Sequence, residues 1–76
     1  KKEYQVVNVA ALAELFPQGG EITVADLVAK GAVRDGYPVK VLGDGEVSAA
    51  YTIKGVKASA SAKSKIEAAG GSISED

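Results

Sequence analysis

Cysteine, histidine, methionine and tryptophan are all missing from this chain of 76 residues. Without Cys there is neither a disulfide nor a thiolate, and without His no imidazole, which excludes the usual zinc ligands and the commonest activated nucleophiles and bases. An enzyme is not expected, nor a metal, a cofactor or a small-molecule substrate. Aromatic residues are scarce too, with one Phe and three Tyr, so the core has to be assembled from Val, Leu, Ile and Ala. A single domain of this size buries little more than half of its unfolded surface and, with no staple, should be only marginally stable. The lack of Met implies that the gene begins upstream of Lys1. No apolar run approaches the roughly twenty residues of a membrane span, and no signal-peptide pattern precedes the first apolar residues. The expected setting is soluble and cytoplasmic, with no membrane partner.

The net charge of -1 gives no reason to expect a nucleic-acid ligand, but its distribution does. Lys54, Lys57, Lys63 and Lys65 lie between Tyr51 and Lys65 with no acidic residue among them, while the remainder holds five basic and ten acidic residues. A segment of charge +4 is thus set in a background of -5.

The chain is organised around Val39-Lys40-Val41-Leu42-Gly43-Asp44-Gly45-Glu46. Val39 and Val41 fall on one side of an extended backbone, and Gly43, Asp44 and Gly45 form a structural turn in which the glycines permit positive φ. The turn fits neither a phosphate loop nor a calcium loop: the spacing is wrong, the carboxylates would repel phosphate, and too few oxygens alternate. Upstream, Tyr4-Gln5-Val6-Val7 reads as a strand and Asn8 as the N-cap of a short helix with Leu12, Leu15 and Phe16 on one face. Glu21-Ile22 is extended, Thr23 and Asp26 form a capping box for a helix with Val24, Leu27 and Val28 inward, and Gly31 ends it. Downstream, Val47 to Ala50 and Tyr51 to Ile53 read as extended, and Gly55 as a bulge. Ser59 or Ser61 caps a last helix with Ala62, Lys65, Ile66 and Ala69 on one face; Gly70-Gly71 ends it, and Ser72-Ile73-Ser74 is a closing strand. The class is α/β, a small single domain with three short helices and short strands.

No pair such as Ser61 or Ser64 with Lys63 has the desolvated base or oxyanion hole that nucleophilic catalysis needs. The segment from Lys54 to Lys65 is the functional candidate. Its lysines, with Ser59 and Ser61 at a helix start, could hold phosphate oxygens, and Lys63 near that start is unfavourable unless an anion neutralises it. A solvated charged face explains the same residues equally well. If RNA is bound, backbone and shape are the expected contacts, because no aromatics interleave the lysines.

The block from Val39 to Glu46, then Thr52-Ile53-Lys54, Ser59, Ser61-Ala62 and Lys65 to Gly71, resembles the C-terminal half of bacterial large-subunit ribosomal protein fifteen. Val7-Asn8-Val9, Gly20 to Thr23 and Leu27-Val28 are similar to that family's early segment. The resemblance departs at Gly55-Val56-Lys57-Ala58, where the family usually carries bulkier or more polar residues. It implies an irregular superhelix of β-β-α units, with residues 1–76 forming the C-terminal globular domain and a basic N-terminal extension absent from this chain. It also implies a structural role in the cytoplasmic large ribosomal subunit, with 23S-type ribosomal RNA and neighbouring ribosomal proteins as partners. On this reading Lys54, Lys57, Ser59, Ser61, Lys63 and Lys65 meet RNA. The alternative is a small protein-binding module without RNA-binding activity.

Overall fold

The computed structural model describes residues 4–75. In order, the elements are β1 (Gln5–Asn8), α1 (Val9–Leu15), β2 (Gly20–Ile22), α2 (Val24–Ala29), β3 (Val39–Leu42), β4 (Tyr51–Lys54), β5 (Lys57–Ala58), α3 (Ala60–Ala68) and β6 (Ser72–Ser74). Odd strands and even strands separate into two three-stranded sheets, β1-β3-β5 and β2-β4-β6, with every pairing parallel. Each strand therefore hands the chain to the other sheet, and its partner arrives two strands later. That is the winding of an irregular α/β superhelix.

A parallel sheet is ordinarily covered on both faces and apolar throughout. Here β3 alternates buried Val39 and Val41 with half-buried Lys40 and Leu42, and β4 alternates buried Tyr51 and Ile53 with exposed Thr52 and Lys54. Each sheet thus turns one face inward. Both inner faces and the apolar stripes of all three helices meet in one core containing Leu12, Leu27, Val41, Ile53 and Ile66. Phe16, read on the same helix face as Leu12, is only partly buried against that core.

The helices are too short to persist in isolation and are fixed by caps and packing. Thr23 and Asp26 form the reciprocal capping box of α2. Both α2 and α3 end in paired backbone bonds: Gly31 N–H to the Val28 carbonyl and Ala32 N–H to that of Leu27, then Gly70 N–H to Glu67 and Gly71 N–H to Ile66. This is the Schellman arrangement, with Gly31 and Gly70 at φ +77° and +93°. Asn8 occupies the cap position of α1 but its side chain makes no capping bond, because β1 runs directly into the helix.

Three further expectations are corrected. Residues 47–50 are irregular rather than extended, because they carry the chain from one sheet to the other. Gly55, at φ +84°, is no bulge but the corner between β4 and β5, which lie in different sheets. Gly43 has no positive φ; its need is space, since a Cβ there would overlap Ser61 and stand 2.7 Å from the Ala62 nitrogen. Only Gly45 has the positive φ, +109°.

Tyr51 ties β4 to the C-terminal part of α1. Its hydroxyl lies 2.7 Å from the Phe16 carbonyl and 3.2 Å from that of Leu12. One proton cannot serve both fully, and the shorter bond is the principal one. The Phe16 carbonyl also accepts from Gly19 N–H at 3.0 Å, so Tyr51→Phe should cost only about 0.5–1.5 kcal/mol at neutral pH. Burial pushes the Tyr51 phenol above its ordinary value of 10.0. The stability it contributes is complete below that unfolded value and is lost as pH climbs through the raised folded one. Urea midpoints measured at pH 7 and pH 11 should therefore show the gap between the parent chain and Tyr51→Phe narrowing in alkali.

Candidate nucleic-acid interface

The two-residue strand β5 decides where the lysines go. It was not foreseen, because two residues carry no period, yet its pairing sets Lys57 directly beside Lys40 of β3. Two ammonium groups side by side on one sheet face repel each other. Lys63 of α3 joins them around an open groove of about 510 Å³ floored by Val56, Ala58 and Ile73, with Ser74 and Glu75 on its rim. Among the described residues three cations face one carboxylate there, an excess of positive charge that an anionic ligand would relieve.

Lys57 is the most engaged of the three. Its ammonium lies 3.6 Å from the Glu75 carboxylate and 5.7 Å from the Tyr4 ring centroid. Tyr4 first, and Glu75 after it, hold the ammonium above the usual lysine range, so it is charged at neutral pH. The pair is exposed and screened, and contributes little to stability.

The other expected site residues divide by position. Lys54 stands exposed at the end of β4, outside the groove. Ser59 is the N-cap of α3, its hydroxyl accepting from Ala62 N–H at 3.1 Å, whereas Ser61 lies inside the helix and packs on Gly43. Lys63 and Lys65 are two residues apart and therefore about 200° apart around α3. Lys65 faces the central turn, where its ammonium donates to the carbonyls of Gly43 at 2.6 Å and Gly45 at 2.5 Å. Gly43, Asp44 and Gly45 are thereby tied to α3, and the Asp44 carbonyl accepts from Ala10 N–H at 3.3 Å. The groove thus brings together Lys57 and Lys63 from the expected set and adds Lys40. Nothing local to Lys40 marks it; only the register of β3 with β5 does.

Among the described residues no group of three acidic side chains is placed to hold a metal ion, and no helix is long and apolar enough to cross a membrane.

The family described as "Ribosomal proteins 50S-L15, 50S-L18e, 60S-L27A" matches residues 6–74. A protein of Bifidobacterium adolescentis, named large ribosomal subunit protein uL15, is 95% identical over 76 residues, covering 100% of this chain and 51% of the relative. One of Bifidobacterium longum with the same name is 76% identical over 76 residues, covering 100% of this chain and 51% of the relative. Another, from Streptomyces griseus, is 60% identical over 75 residues, with 99% and 50% covered. The chain spans about half the length of the curated relatives it matches.

Proposed function

The chain belongs to the family of ribosomal proteins that includes 50S-L15, 50S-L18e and 60S-L27A, and from that membership we propose that it is a structural constituent of the large ribosomal subunit, gripping 23S-type ribosomal RNA through phosphate and shape. Residues 1–76 act as the globular C-terminal domain, in the cytoplasm, alongside neighbouring ribosomal proteins. No enzymatic step enters this reading.

The observation that carries it is the convergence of Lys40, Lys57 and Lys63, from three separate elements, on one groove. An acidic chain with no anionic partner would gain nothing from pairing two lysines in register. Lys54 extends the basic surface beyond the groove. Ser59, Ser61 and Lys65 serve it by fixing the start of α3 over the central turn, which holds Lys63 at its spacing from the sheet.

Three phosphate contacts correspond to a slope of about -2.7 in log affinity against log salt, taking the duplex-DNA value of about 0.9 per contact. Lys40, Lys57 and Lys63 replaced together by Gln should flatten that slope and weaken binding of a 23S-type RNA fragment at low salt far more than at high salt. Unchanged affinity and slope would make the lysines a solvated face and favour a protein-binding module instead.

A further inference from the structure

The outer face of the first sheet carries more than lysines. Register places Val6 of β1 beside Lys40, and Lys40 beside Lys57. Tyr4 precedes Val6 by two residues, on the side from which its ring meets the Lys57 ammonium. Tyr4, Val6 and Tyr37 are the large apolar side chains left exposed, at 38%, 54% and 56%. They are not scattered. Tyr4 and Tyr37, distant in sequence, line one depression of about 290 Å³ together with Gln5 and Arg34. A second depression joins Tyr4 to Lys57, and Lys57 also lines the lysine groove. A single track therefore runs from Tyr37 past Tyr4 to Lys57 and on to Lys40 and Lys63.

The aromatic end of this track is held in place. The Gln5 side chain donates to the Arg34 carbonyl at 2.8 Å and accepts from Arg34 N–H at 2.6 Å, while Gln5 N–H bonds the Pro38 carbonyl at 2.9 Å. The loop bearing Arg34 and Tyr37 is thus latched to β1 at both ends, which lowers the ordering cost of any ligand that uses it. One side of the Tyr4 ring already meets the Lys57 ammonium, so the more exposed Tyr37 ring is the better platform.

Resting on the reading that this chain binds RNA, we propose that Tyr37 and Tyr4 form a stacking subsite for an unpaired nucleotide, with Arg34 and Lys57 beside it for the flanking phosphates. A paired base in an A-form helix hides its faces in the stack, and only a bulged, looped or terminal base can offer one to a tyrosine ring. Arg34 in the aromatic depression and Lys57 against the Tyr4 ring favour this polyanion over an apolar protein segment.

The test uses two hairpin RNAs that differ by one bulged 2-aminopurine. The chain should bind the bulged hairpin about 5- to 150-fold more tightly, the range of a single base–aromatic stack, and should quench its fluorescence. Tyr37→Leu should abolish both the preference and the quench while keeping the affinity for the paired hairpin and its salt slope; Tyr4→Leu should reduce them. Equal binding of the two hairpins would overturn the subsite and leave the RNA-binding reading standing. So would a preference that survives both substitutions. Parallel loss of both hairpins in Tyr37→Leu would also overturn it, and no binding of either hairpin by the parent chain would overturn both readings.

Discussion

Gly71→Ala should leave little cooperatively folded protein. Gly71 lies against the backbone of β4, where a Cβ would overlap the Tyr51 carbonyl oxygen and stand 2.6 Å from the Tyr51 nitrogen. The strand it would displace is the middle one of its sheet, and the Tyr51 side chain is 1% exposed. Neither can give way without opening the core, so the cost should exceed about 3 kcal/mol, the upper end of ordinary overpacking. For a chain this small that is most of the margin. Gly70→Ala is the control: at φ +93° it is strained, but its nearest neighbour is the Ala50 Cβ at 3.9 Å. A loss of about 1–2 kcal/mol is expected there, from the left-handed conformation alone. Thermal melts of the two variants should rank them in that order; Gly71 has no positive φ, so equal losses would mean that β4 yields to the added methyl.

Leu27→Ala should cost about 2–5 kcal/mol. Leu27 is fully buried in a six-residue helix that has little independent stability, and its backbone carbonyl receives Ala32 N–H in the cap that ends α2. Removing the side chain opens a cavity at the one fully buried position of α2, leaving only the partly buried Val24 and Val28 to hold the helix on the core. Val28→Ala, at a half-buried neighbour, should lose distinctly less. Urea titrations compare the two, and a Leu27→Ala loss below about 1 kcal/mol would mean that the site collapses freely.

Local grammar was legible in the sequence wherever one residue type has one physical use. The Thr23–Asp26 box, the positive-φ Gly31 and Gly70, and the alternation through Val39–Leu42 and Tyr51–Lys54 each stand where spacing put them. Long-range pairing was not legible. Parallel partners separated by a strand of the other sheet leave no turn signal between them: β3 and β5 have an irregular segment and β4 in between, so nothing near Lys40 announces Lys57. Lys65 illustrates the same limit: its charge read as surface, while its geometry ties down the central turn. In the sequence Gly43 and Gly71 read as turn and stop residues, but the backbones they approach belong to α3 and β4.

The alternation of strands between two sheets also sets when this chain can become ordered. Released from its N-terminus, it can join β1 to β3 once Leu42 is free, but β2 must wait for β4, and β4 for Ser72–Ser74. Distant pairings of this kind delay the folding transition until nearly all of the sequence is present. The last strand does more than cover an edge, because the Ser74 carbonyl receives the N–H groups of both Gly55 and Val56, the corner from which β5 and Lys57 begin. Until the final residues dock, the lysines have no common spacing, and a nascent or truncated chain would offer an anionic ligand loose charge rather than a shaped surface.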